Sequence, residues 1–459
     1  MTARRLTLAA AATAAALLPV AAAHADATWS TPVDVVAAGD TIFGDLGIGF
    51  DAQGRGLVSW NFSNDPHGAT LRTSRSGLRS IAPGDTLEGL RVGELDSPAV
   101  GRPVQFGADG VAALQRTPGC AQADAVVCRR GGPGRPVTLS VVTTTTSLGG
   151  GSVAVLPSYR AAALQDVDSG AAAMAGTAGG RLAVAYVEQR RGHDTLLLSE
   201  RRAPGAKFAR RISVAAGPSI RRIAIAYGPH DGLLIAYSRA GEVDVRSRKG
   251  TGAFGPADDL GSAKNLVSLV AGVAANGRAV VAFRRSTRTV HDGRVAAASV
   301  HGALRAPGAA HFAKPQALDA TPSPTADAVR LGMAADGSTT LGWTSGIASP
   351  TVITTQASPS GRFAALSPNG AGYLGDVVVQ PSGSRLVVWR APQAAPDATT
   401  GLVASDVYAA TTVSDVESDE LVRAGEQVTA VTGAFDPQTG EPTVAWIGAG
   451  ALRTATRTP

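Results

Sequence analysis

The chain has 459 residues, with 42 Lys and Arg against 36 Asp and Glu, for a formal net charge of +6. A length of this kind means two or three domains or one repeat array. A small basic excess with no clustered basic face excludes a nucleic-acid binder, and a pair of cysteines is too few ligands for a structural zinc site.

The first 25 residues, MTARRLTLAAAATAAALLPVAAAHA, read as an export signal: Arg4 and Arg5, an Ala/Leu run, then Ala23 and Ala25 as an A-x-A cleavage site before Asp26. No cysteine follows the run to carry a lipid, and no later stretch is long and apolar enough to span a bilayer. The expected address is therefore secreted or cell-surface. The mature chain, 26–459, loses two arginines and no acids, which takes the charge from +6 to +4. Only four lysines stand among the basic residues (Lys207, Lys249, Lys264, Lys314), a compositional bias toward Arg rather than a functional signal.

The first element of the mature chain, Trp29-Ser-Thr-Pro32-Val-Asp-Val35, reads as a lone strand. Next comes FDAQGRGLVSW at 50–60, two short apolar runs around a Gly turn, and this shape returns along the whole chain. Gly54 precedes Trp60 by six residues, and the same step joins Gly180 to Tyr186, Gly277 to Phe283, Gly337 to Trp343, Gly383 to Trp389 and Gly440 to Trp446. Gly232 reaches Tyr237 one residue sooner, and Gly110 opens a copy without the aromatic, which makes eight copies ending 46 to 71 residues apart. Polar-Gly pairs such as Asn276-Gly277 and Asp336-Gly337 supply the positive φ of a tight hairpin. Runs such as RAVVAF and RLVVW, apolar at nearly every position, suit strands buried on both faces. No useful 3.6-residue period occurs anywhere in the mature chain.

Between the hairpins a second motif runs from a polar turn into Phe: RAPGAKF (202–208), RKGTGAF (248–254), RAPGAAHF (305–312) and SPSGRF (358–363). One unit thus holds about four strands, the count of a propeller blade. The ends fit together. The chain begins with the last strand of a unit, spaced like Phe312, Pro315 and Leu318, and it stops where that strand is missing. The expectation is one all-β propeller of eight four-stranded blades, with seven as the alternative, closed by the N-terminal strand. Two β-sandwiches would predict neither one period nor complementary ends. The stretch 116–179 reads as a long decorated connection; 321–328 and 391–401 read as lesser loops. Cys120 and Cys128 within that stretch are expected to pair as a disulfide in an exported chain.

With its polar-Gly turn and closing aromatic, the hairpin resembles the secreted β-propellers of actinobacteria, loosely grouped with sialidase-like and BNR-repeat propellers. The resemblance covers essentially the whole mature chain and implies fold and export. It implies no activity. The sialidase Asp-box is absent, SNDPHGAT at 63–70 being a poor approach to it, and no early Arg-Ile-Pro is present. There is likewise no G-x-S-x-G, H-E-x-x-H or phosphate loop. DVDSG (166–170) and VSDVESDE (413–420) lack the full ligand spacing of a calcium loop and read as solvated loops, so neither metal nor cofactor is expected.

The connections that follow each hairpin should open on one rim. There the sequence places Arg116, Arg190, Arg191, His193, Arg239, Arg284, Arg285, His291 and Arg390, with Asp65 and His67 in the first unit. Arginine forks gathered at one mouth would engage a carboxylate or phosphate, hence an acidic glycan. The repeated aromatics are expected to fill the space between blades. The functional expectation is a monomeric, non-enzymatic binder of a glycan or surface protein. A glycoside hydrolase or lyase is the alternative, and two carboxylates facing each other at the mouth would favour it.

Overall fold

A computed structural model describes residues 28–36, 41–50, 54, 56–63, 74–81, 99–105, 111–118, 136–143, 152–155, 159–160, 172–177, 179–190, 193–203, 206–262, 264–286, 298–320, 328–346, 349–393, 404–413 and 416–458. Strands account for nearly all of it, and the strands form eight antiparallel sheets, taken here as blades 1 to 8 in chain order.

Each sheet is a run of consecutive neighbours, as hairpin connections dictate. Blade 1 holds Thr41–Phe50, Gly56–Ser63 and Ser74–Ile81. Blade 2 begins Ala99–Gln105, Val111–Pro118, Pro136–Thr143, with Ser152–Val155 and Tyr159–Arg160 both paired to the third strand. Blade 3 is Ala172–Gly176, Leu182–Arg190, His193–Arg201, Ile212–Gly217, and blade 4 is Arg221–Tyr227, Leu233–Arg239, Glu242–Arg248, Asp258–Ser262. Blade 5 runs Leu266–Val273, Ala279–Ser286, Ala298–Arg305, Gln316–Asp319, and blade 6 runs Arg330–Met333, Thr339–Ser345, Thr351–Ala357, Ser367–Ala371. Blade 7 is Tyr373–Val379, Arg385–Pro392, Ser405–Val413, Val416–Glu426. Blade 8 has Val428–Phe435, Pro442–Gly448 and Ala451–Thr458, and the last of these also pairs with Val33–Val36 and Thr28–Trp29.

The first strand of every blade touches the first strand of the next, and that of blade 8 touches that of blade 1. The eight sheets therefore form a ring with the first strands as its inner wall. Apolar clusters fill the gaps between blades. Ile48 and Val58 of blade 1 meet Ala445, Ile447 and Leu452 of blade 8 across one gap, with Val35 beside them. Covered on both faces, second strands are buried end to end, Leu182 to Glu188 in blade 3 and Thr339 to Ser345 in blade 6.

The repeated aromatics sit where the sequence puts them. Tyr186, Tyr237, Phe283, Trp343, Trp389 and Trp446 are all buried. Tyr237 packs on blade 3, Trp343 on Val280, Ala282 and Val300 of blade 5, and Trp446 on Leu386 and Val388 of blade 7. Polar groups join blades too: Leu374 N–H donates to Thr344 Oγ1 (2.9 Å), and Thr432 Oγ1 donates to the buried Asp376 (2.8 Å).

The repeated turn is a three-residue loop closing on a left-handed glycine. Ala334 N–H donates to Ser338 O (2.9 Å), Gly337 N–H returns to Ala334 O (3.1 Å), and Gly337 takes φ +90°. Blade 4 departs from this pattern, as its early aromatic hinted. A short 3-10 turn at Pro229–Asp231 gives the positive φ to His230 and Asp231, and Gly232 is extended.

Two sequence expectations need correction. The stretch 116–179 is not one connection, because Pro136–Thr143 and Ser152–Val155 belong to the sheet of blade 2 and Ala172–Gly176 begins blade 3. Most of VSDVESDE is not a loop: Val416–Glu426 is the outer strand of blade 7, and its Glu420 pairs with Arg457 (2.7 Å). Outer strands are polar because one edge faces water. Residues 166–170 lie outside the described residues, as do Cys120 and Cys128, the expected disulfide.

Candidate binding site

Strands alternate in direction, so a blade presents its connections on two faces. Connections from first to second strand and from third to fourth lie on one, which we call the turn face; the others lie on the exit face. Most of the sequence-derived candidates do reach the exit face, at the ends of second strands and the start of a third.

Their side chains, however, are engaged locally. Arg239 pairs with Asp244 of its own hairpin (2.7 Å). Arg284 is only 1% exposed and donates to Thr344 O of blade 6 (3.3 Å), so it joins two blades rather than facing a ligand. Arg285 donates to Ser262 O (2.9 Å) and Ser299 Oγ (3.1 Å). Arg390 lies over the Tyr373 ring, 4.6 Å from its centroid. His193 is exposed at the head of its strand. Arg116 lies in the second strand of blade 2, and Arg190 ends the second strand of blade 3. Arg191, His291, Asp65 and His67 lie outside the described residues. Arg239 thus bonds within its own hairpin, Arg285 to its own and the preceding blade, and Arg284 to the following one.

On the exit face a recess of about 490 Å³ opens between blades 3 and 4, lined by Gly217, Arg239, Glu242, Asp244 and Asp259 among others. Asp244 and Asp259 are cross-strand partners. Burial pushes the Asp244 carboxyl up; Arg239 draws it down and the Asp259 charge raises it again, leaving it above the usual range. Two neighbouring carboxyl groups can act as acid and base, but these stand between blades and not at the channel.

Sequence reasoning missed the turn face. There the inner-wall strands of blades 3 to 6 surround a recess of about 460 Å³ lined by Met174, Ile225, Ala226, Tyr227, Val273, Leu331 and Met333. The charged groups beside it answer one another. Arg181 pairs with Asp231 (3.0 Å), and Glu200 accepts from Tyr227 OH (3.1 Å) and pairs with the buried Arg248. Burial, then the Glu200 charge, hold the Tyr227 phenol well above its ordinary range, so it stays a neutral donor. Among the described residues no group of His, Cys, Asp and Glu is arranged to hold a metal ion, and no helix is long and apolar enough to cross a membrane.

A repeated corner supports this face. Arg201, Arg248 and Arg305 each end a third strand and lie over Phe208, Phe254 and Phe312, at 5.8, 5.2 and 5.1 Å from the ring centroids. Arg248 also reaches Glu200, and Arg305 reaches Ser247 (2.9 Å), each on the preceding blade. The Arg-to-Phe spacing of the second motif was its signal in the sequence.

No family model and no curated protein matches the chain. Among solved structures, the Dos1 propeller is similar over 94% of this chain and 95% of its own, at 9% identity and TM-score 0.46. A PL25 ulvan lyase covers 84% of this chain and 96% of its own, at 10% identity and TM-score 0.46. The fucose-specific lectin from Aleuria aurantia covers 72% and 96%, at 15% identity and TM-score 0.37. The fold conclusion rests on the chain's own eight sheets and the closed circuit of their first strands: this is an all-β propeller.

Proposed function

We propose that the protein is an exported, non-enzymatic propeller that binds a protein or glycan outside the cell at the channel mouth on its turn face. One observation carries the reading: the recess formed by the first strands of four consecutive blades, concave, largely apolar in its side chains, and bordered by ion pairs that leave no net charge. A small apolar recess with a polar rim is the form of a binding hot spot. Export rests on residues 1–25.

A thermal-shift screen tests this with neutral glycans, acidic glycans and capped peptides. A ligand that binds only the folded state at a hundred times its Kd stabilises it by about 2.7 kcal/mol. Ala226→Trp, which fills the recess, should abolish the shift, and Asp244→Asn on the exit face should leave it intact. The reverse pattern would favour the second reading, a glycoside hydrolase or lyase using Asp244 and Asp259, which the upward shift of the Asp244 carboxyl, caused first by burial, supports. A shift that neither variant alters removes both sites from consideration.

A further inference from the structure

We infer that the ligand at the channel mouth is an extended, uncharged peptide segment, which pairs along a free inner strand edge and sets an apolar side chain into the recess. The inference rests on the binding reading above and names its ligand class. Three features of the site point to a peptide.

The first is the wall. Each first strand of blades 3 to 6 pairs with its second strand only, so among the described residues no strand pairs with its inner edge. Such an edge offers the backbone donors and acceptors that an incoming strand takes up, while alternate side chains of that strand find pockets. The second is the lining. Met174 and Met333 flank the recess with Leu331, Ile225 and Val273, and thioether side chains adapt to varied apolar shapes. Ala226 is half-buried and lines the recess.

The third is charge. Arg181 is paired with Asp231, and Glu200 with Arg248, so an ionic headgroup would find each opposite charge already answered. The Tyr227 hydroxyl is likewise committed to Glu200. A sugar ring, which needs several side-chain polar partners, would meet few here. An apolar peptide needs only the backbone edge and the recess, and both are present.

The test selects from a library of end-capped octapeptides in which apolar residues alternate with Ser or Thr, using the immobilised mature protein. The enriched peptide is then measured by fluorescence polarisation. N-methylation at alternate positions, which deletes strand-pairing donors, should weaken binding at least tenfold at one parity and little at the other. Ala226→Trp should remove binding and Ala226→Ser should retain it. Ala226→Asp, which leaves the recess open but charged, should also remove it, with circular dichroism verifying that each variant is folded. No enrichment over Ala226→Trp overturns the inference. So does binding that N-methylation at either parity leaves unchanged, which would mean apolar burial without strand pairing. If glycans shift the melting point in an Ala226-dependent way while peptides do not, the peptide inference falls and the binding reading stands.

Discussion

Trp343→Ala tests the packing logic of the ring most sharply. Trp343 is fully buried against Val280, Ala282 and Val300 of the preceding blade, and its Nε1–H donates to Asp319 Oδ2 (2.7 Å). Truncating a large buried aromatic to Ala costs about 3–5 kcal/mol in lost transfer energy and cavity. Removing a donor to a carboxylate adds about 1.5–3 kcal/mol, at the lower end here because Ser345 Oγ still donates to the same oxygen (2.8 Å). The sum, about 5 kcal/mol, is comparable with the whole stability of an ordinary domain. Trp343→Phe keeps most of the ring and loses the N–H, so it should cost about 2 kcal/mol. Urea unfolding followed by far-UV circular dichroism measures both. A Trp343→Ala cost below about 1.5 kcal/mol, with unchanged denaturant slope, would refute the claim that these aromatics hold blade to blade.

Three further outcomes follow from the same structure. A Cβ at Gly375 would collide with Val431 Cγ1 and its carbonyl oxygen, so Gly375→Ala should cost about 3 kcal/mol; Gly383→Ala, in open space at φ +101°, should cost only about 1 kcal/mol of backbone strain, both read by urea midpoint. Burial, then Arg285, holds His301 below the usual histidine range. The unfolded chain therefore takes the proton first, and stability should fall as pH drops from 7 to 5, a slope that His301→Gln should flatten in urea midpoints. Burial raises the Glu426 carboxyl, but Trp446 Nε1–H, Arg423 and Arg453 together outweigh it and hold it below its ordinary value. Its stabilisation is complete above the unfolded carboxylate range and is lost as pH falls through the lower folded value. Glu426→Gln should cost about 2 kcal/mol at pH 7 and flatten the acid limb of a pH series.

The fold was legible because its rules are local. A left-handed turn favours Gly, and a strand buried on both faces favours apolar and small residues, so Gly337 and Trp343 announce the same hairpin that Gly383 and Trp389 do. The early Tyr237 fell in blade 4, whose turn is built on a short 3-10 segment, whereas blade 8, with its aromatic at the usual distance, has a four-residue loop closed by Asp436 N–H to Glu441 O. Blade 2 was less legible because its copy at Gly110 has no aromatic. The site was not legible from one strand at a time. The arginines at strand ends were placed on one face by the repeat, but Arg284 meets Thr344 sixty residues away, and only the ring brings that carbonyl to it. The turn-face recess is assembled from Met174, Ile225, Val273 and Met333, whose apolar character in the sequence says core and nothing more.

The account depends on residues 28–36 standing beside the C-terminal strand, where Val33 is the cross-strand partner of Thr454 and Asp34 pairs with Arg453 (2.7 Å). The most direct measurement is oxidation of Val33→Cys/Thr454→Cys in a Cys120→Ser/Cys128→Ser background, read by non-reducing gel and urea unfolding. The account predicts rapid formation of an intramolecular disulfide that locks the ring and raises stability by about 5 kcal/mol, as closure of so long a loop should. Thiols that stay free, or that join only between molecules, would contradict it.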